Sequence, residues 1–302
     1  MIIFIVDLLL IIKNDVKVDY KSYSICILVG SSFIALGQVY RHTGRSDKIA
    51  PSLIASGNFI LFTTVASAST YLLLPVDNFG FDHFLASIDY CLGYEWIWFV
   101  SWFDNHALLG FSLAVIYGSS LIQMVSVILL LGLRGKVMSL HRFLATGVLS
   151  FLFGIAIWAL LPSFGPSAII ENPSDISRNT FLVVGAEYGM QLRRVAHFGV
   201  SRISPHDALG LIAFPSFHAI MAMMVIVFSR GFGKLFYLYL PLNILMFPAI
   251  LLHGGHHLVD VFAGITVFLV AHALVCWWVP STKIVSDNGK IKSSTVNVTL
   301  KG

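Results

Sequence analysis

Seven stretches of this chain, at about 22 to 39, 52 to 74, 106 to 133, 141 to 162, 208 to 229, 235 to 253 and 259 to 279, are apolar almost without interruption. A run of roughly 20 apolar residues matches a hydrocarbon layer about 30 Å thick. Backbone N–H and C=O groups inside lipid must pair within the protein, and runs of this length do so as helices. The expected fold class is therefore an all-α integral membrane protein. Composition agrees: of 302 residues 57% are apolar and 11% charged, with mean hydropathy +0.84, which excludes an ordinary soluble domain. The first apolar run, 1 to 12, contains Asp7 and lacks a small-residue cleavage site, so it reads as a short extra span rather than a removable signal. Cys26, Cys91 and Cys276 lie in or beside different runs without metal-like spacing, and packing roles are expected for them.

The net charge of +4 does not point to a nucleic-acid partner, because the lysines and arginines sit in short loops rather than in one patch. They report topology instead. Arg41, Arg45 and Lys48, then Arg134, Lys136 and Arg142, then Arg230 and Lys234, and the tail lysines Lys283, Lys290, Lys292 and Lys301 mark one side as cytoplasmic. The 75 to 105 stretch has no lysine or arginine but carries Asp77, Asp82, Asp89, Glu95 and Asp104, and falls on the other side. Its Trp96, Trp98, Trp102, Phe99 and Phe103 read as an interfacial anchor. This alternation places the 163 to 207 loop and the 254 to 258 turn outside, in the periplasm of a bacterial inner membrane. Arg178, Arg193, Arg194 and Arg202 break the charge pattern there. An anionic partner is one reason; a long loop that tolerates arginines regardless is the other.

Two short segments stand at the outer ends of apolar runs. In Phe214-Pro215-Ser216-Phe217-His218, Pro215 suits a first helical turn and Ser216 offers a hydroxyl beside it. A helix start presents unpaired N–H groups that attract phosphate, and His218 projects into that region. In His256-His257-Leu258-Val259-Asp260, a helix would put His256 and Asp260 on one face, so that the carboxylate holds one ring nitrogen. Gly254 and Gly255 allow a tight turn and close backbone approach just before them. An aspartate at the head of an apolar span is costly unless it has a function.

These parts suit phosphoryl transfer through a phosphohistidine. His256, oriented by Asp260, attacks phosphorus, and His218 protonates the leaving alkoxide. No metal or other cofactor is expected; zinc is the rival use of such residues, but the spacing is not that of a compact zinc site. His257 points away around a helix and reads as a residue behind the site or at the lipid interface. His253 is ambiguous, and His197 and His206 read as solvated loop residues.

Pro215-Ser216-Phe217-His218 and His256 to Asp260, in this order at helix starts on one face, resemble the P-S-x-H and H-x-x-x-D motifs of the type 2 phosphatidic acid phosphatase superfamily. The resemblance covers about 160 to 264. It implies a six-helix core, here with one or two extra N-terminal spans, and an extracytoplasmic site acting on phosphorylated lipids. The family's lysine followed after six residues by Arg-Pro is not recognisable, and Ala249 and Ile250 stand where Ser-Arg often precedes the third motif. The branch that resembles inositol phosphorylceramide synthases also lacks these, and Leu161-Pro162-Ser163-Phe164-Gly165-Pro166 looks like that branch. Arg193 or Arg194 would then replace the missing phosphate ligands, beside Ser216 and Gly255.

The sequence divides into N-terminal spans (1–140), a catalytic core (141–280) and a polar cytoplasmic tail (281–302). The leading expectation is a lipid phosphate phosphatase whose partners are a phosphorylated lipid and the surrounding membrane. A phosphotransferase that moves a phospho-headgroup onto a lipid alcohol is the first alternative. A non-catalytic lipid-binding or transport protein is the second.

Overall fold

The computed structural model describes residues 2–76, 78–170, 181–207 and 209–279. The polar tail, Asp77 and Arg178 lie outside them. The helices are α1 (Ile2–Asn14), α2 (Tyr20–His42), α3 (Ile49–Leu72), α4 (Gly80–Cys91), α5 (Trp96–Trp102), α6 (Ala107–Gly118), α7 (Ser120–Leu133) and α8 (Val137–Leu160). They continue with α9 (Pro166–Ile169), α10 (Ala186–Phe198), α11 (Phe217–Ser229), α12 (Phe236–His253) and α13 (Leu258–Trp278). The chain is an all-α membrane protein. Its only strands among the described residues, β1 (Lys17–Val18) and β2 (Arg202–Ile203), form a two-residue parallel pair.

Helices α2, α3, α8 and α13, of 21 to 24 residues each, are long and apolar enough to cross a membrane one by one. Two expected runs differ in detail. The run 106 to 133 is interrupted at Ser119, yet that residue keeps helical angles (φ −79°, ψ −9°) and its N–H bonds to Val115. Helices α6 and α7 therefore make one nearly continuous transit. The run 208 to 229 is helical only from Phe217, because Pro215 contributes no N–H and pushes the residue before it out of the helical region. Residues 209–216 form an irregular segment instead, tied down by the Ala213 N–H to Ser163 O at 3.0 Å.

Helices α11 and α12 form a hairpin. A continuous rod from Phe217 to His253, 37 residues, would be about 55 Å long. Instead Gly233 turns the chain with φ 62° and ψ −126°, and Ser216 and His256, flanking the two helices, lie 3.4 Å apart. The hydrophobic core behind this hairpin joins α7, α8, α11 and α13 through Met124, Ile128, Phe143, Met224 and Phe268. A polar contact crosses it: Asn243 Nδ2 donates to Gln123 Oε1 at 2.7 Å, linking α12 to α7.

The short N-terminal helix is not a full span. Thirteen residues extend about 20 Å, less than the hydrocarbon thickness. Its Asp7 accepts from Ser69 Oγ at 3.0 Å and its Asn14 donates to Leu72 O at 3.2 Å, so it lies against the C-terminal end of α3. Strand β1 follows, and its pairing with β2 puts Lys17 beside Arg202.

Candidate active site

Ser216 is the N-cap of α11, and its hydroxyl accepts from the Ala219 N–H at 3.4 Å. Pro215 therefore stands just before the helix rather than in its first turn. His218 follows on the first turn, stacked on the Tyr117 ring at 4.2 Å between centroids and 22° between planes. The Ser216 N–H itself donates to Asp260 O at 3.0 Å, which pins the start of α11 to the start of α13.

The second motif is built from a cap rather than from a helical face. His256 precedes α13, His257 is its N-cap and Asp260 lies in its first turn. Asp260 Oδ2 accepts from His256 Nδ1 at 3.1 Å and from the His257 N–H at 2.9 Å. The expected pair thus meets, by a different route. With Nδ1 turned to the carboxylate, His256 presents Nε2 on its other side, 3.4 Å from Ser216 Oγ.

Gly255 makes that turn possible. Its φ is +58°, and a Cβ there would stand 2.6 Å from Val184 Cγ1. Gly165, at φ +88°, lets the 161–166 segment approach so closely that a Cβ would fall 2.2 Å from Gly255 O.

A carboxylate pair outside both motifs completes the site. Asp82 and Asp89 lie seven residues apart on α4, about two turns, so they share a face. Asp82, fully buried, accepts from Ser163 Oγ at 2.6 Å and from the Phe164 and Gly165 N–H groups at 3.0–3.2 Å. Asp89 accepts from His257 Nδ1 at 2.9 Å and from the Leu258 N–H at 3.2 Å. His257 Nε2 faces Asp82 Oδ1 at 3.6 Å. Burial pulls the His257 pKa down, but Asp82, Asp89 and then Asp260 outweigh it, and the net value rises to about 9. His257 is thus a buried residue held between two carboxylates, not one facing lipid. The signal was present in the sequence as two aspartates at two-turn spacing in a stretch without lysine or arginine.

The aromatic stretch divides accordingly. Trp98 is 69% exposed and suits an interface, whereas Trp96 is buried with Nε1 donating to Leu251 O at 2.9 Å. Tyr94 OH reaches His256 O at 3.4 Å, and burial raises its pKa.

His218 and His256 both line a cavity of about 550 Å³. Its walls come from α3 (Phe62, Thr63), α8 (Phe143, Gly147, Phe151) and α11 (Ile220, Met224), with Tyr117 and Tyr188 near the histidines. The lining is overwhelmingly apolar, and Tyr117 carries no sequence signal that separates it from the apolar run around it.

The expected arginines stand elsewhere. Arg193 donates through Nη1 to Ile170 O. Arg194 lines a separate groove with Phe198, Gly199 and Arg202. Neither lines the histidine cavity among the described residues. Arg202 pairs with Asp19 at 3.0 Å, so its charge has a partner within the protein. His253, left open by sequence, is buried and donates from Nε2 to Gly110 O at 2.8 Å.

The fold and the site define a membrane protein in which two histidines, one bonded to an aspartate, line one apolar cavity inside a helix bundle. The family model of the PAP2 superfamily matches residues 83–274, and the chain belongs to that superfamily. Phosphatase- or phosphotransferase-type activity is what this membership supports. No curated protein and no solved structure matches the chain.

Proposed function

We propose that the protein hydrolyses a phosphate ester of a membrane lipid through a covalent phosphohistidine, on the extracytoplasmic face. The observation that carries this reading is the shared cavity: His218 and His256 both line it, together with apolar residues of α3, α8 and α11. A polar headgroup and a hydrocarbon chain have separate places there, and the volume falls within the range of single-ligand pockets.

In the proposed reaction His256 Nε2 attacks phosphorus while Nδ1–H stays on Asp260. The N–P bond forms as the P–O ester bond breaks, and His218 gives its proton to the departing alkoxide. Water then attacks the phosphohistidine, delivers a proton to His218 and releases inorganic phosphate. The N–H groups of Phe217 and His218, in the first turn of α11, are the donors proposed to stabilise the phosphate oxygens where they carry charge. Asp260 also offsets the positive charge that develops on His256 during attack.

The test is phosphate release from a lipid phosphate by purified protein in detergent, with and without a lipid alcohol acceptor. Loss of release in His256→Gln, with the protein still folded, supports the reading; retained release overturns it. Transfer to the alcohol in preference to water would make the enzyme a phosphotransferase on the same histidine.

A further inference from the structure

The carboxylate that orients His256 is itself held by its neighbour. Asp260 Oδ2 takes two hydrogen bonds, one from His256 Nδ1 and one from the His257 N–H. The position of that N–H depends on where the His257 side chain is anchored. That anchor lies on another element: Asp89 of α4 bonds His257 Nδ1 and also the Leu258 N–H, while Asp82 faces Nε2. Asp82 at the same time fixes three groups of the 163–165 segment, whose Gly165 rests on Gly255.

From these contacts we infer that His257 is a positioning residue for the reaction, and that α4, through Asp82 and Asp89, acts as an outer clamp that sets the His256–Asp260 pair. This rests on the phosphohistidine reading above. The role differs from mere packing in its physical requirement. The clamp needs His257 as a cation that donates to Asp89 while facing Asp82; with a neutral ring the two buried carboxylates would keep only the neutral donors Ser163, Phe164, Gly165 and Leu258, with no opposite charge between them.

The groups that bear on its charge are few. On α4 they are Asp82 and Asp89, on α13 Asp260, and in the turn His256. On the remaining side His257 borders a second cavity of about 310 Å³ with Tyr90, Tyr94 and Glu95. All of the carboxylates favour the protonated ring. The raised His257 pKa, about 9, is consistent with a clamp that stays closed through neutral pH.

The experiment compares Asp89→Asn and His257→Gln with the wild type in kcat and KM for a lipid phosphate, from pH 6 to about 10. In both variants kcat falls about 10- to 100-fold at pH 8 while KM changes less than about threefold. Wild-type kcat declines above about pH 9 as His257 loses its proton. In Asp89→Asn that alkaline limb moves at least about one unit lower, because one of the two carboxylates is gone. Asp89→Glu serves as the conservative variant and recovers part of the rate. If Asp89→Asn does not fold, the limb is read in Asp82→Asn instead. Wild-type kcat together with an unmoved limb in folded variants overturns the inference. That result is distinguishable from failure of the reading itself, in which His256→Gln remains active.

Discussion

Ser216 Oγ and His256 Nε2 approach to 3.4 Å although 40 residues and a helical hairpin separate them. The contact brings the two motifs together across the α11–α12 turn, and Asp260 stands behind the ring at 3.1 Å. Asp260→Asn keeps the shape but removes the negative charge and permits the wrong tautomer of His256. The expected outcome is a fall in kcat of about 10²- to 10⁴-fold with little change in KM. Steady-state kinetics on the purified variant, with size-exclusion chromatography to confirm folding, checks it.

Gly255 combines a left-handed backbone, at φ +58°, with a Cβ position 2.6 Å from Val184 Cγ1. Gly255→Ala is expected to cost about 1–3 kcal/mol from backbone strain and displacement of the neighbouring loop. A lower thermal midpoint in detergent and a lower kcat should appear together, since the same turn carries His256.

The side of the membrane can be read from a natural residue. Cys91, exposed at the end of α4, lies on the same side as the histidines, because α4 carries Asp89 to His257. A Cys26→Ala/Cys276→Ala protein leaves Cys91 as the reporter. Labelling by an impermeant maleimide in intact cells is expected, and labelling only after lysis would place the site on the cytoplasmic face.

What the sequence revealed, and where it stopped, follows from the range of each interaction. Helices α2, α3, α8 and α13 are legible because each is one apolar run of membrane length. His218 is legible because it follows a Pro-Ser helix start, and His256 and Asp260 because they lie close enough in the chain to meet whether the link is a helical face or, as here, a cap. The 209–216 segment misleads: its residues are mostly apolar, yet Pro215 disfavours a helix running through it into α11. In the sequence Asp82 and Asp89 stand only as topology markers, because nothing local ties them to His257, 168 residues further on in the case of Asp89. Arg202 invited an external anion, whereas its partner, Asp19, comes from the N-terminal segment. Long-range pairings of this kind have no signature in a single chain.

Stability should depend on alkaline pH with a definite sign. The folded-state pKa of His257, about 9, exceeds its ordinary value of 6.5. Its protonation therefore stabilises the fold fully below about pH 6.5, and that contribution is lost progressively as pH rises to about 9. Thermal midpoints of the wild type are expected to decline over this interval. In His257→Gln the decline should be shallower, because the group responsible is absent.

The cavity offers the last test, one of chain length. Gly147 on α8 faces Met224 on α11, and a Cβ at Gly147 would stand 3.4 Å from Met224 Cε, so any larger side chain must enter the chamber. Gly147→Leu removes space that a hydrocarbon chain would fill below the histidines. Each methylene denied burial costs about 0.8 kcal/mol, so exclusion of about two lowers the preference for a long-chain over a short-chain lipid phosphate roughly tenfold. The measurement is the ratio of kcat/KM for the two substrates in wild type and variant. A falling ratio places the substrate chain among α3, α8 and α11; an unchanged ratio, with both rates shifted alike, would mean that the chain lies elsewhere and the chamber serves only to pack the bundle.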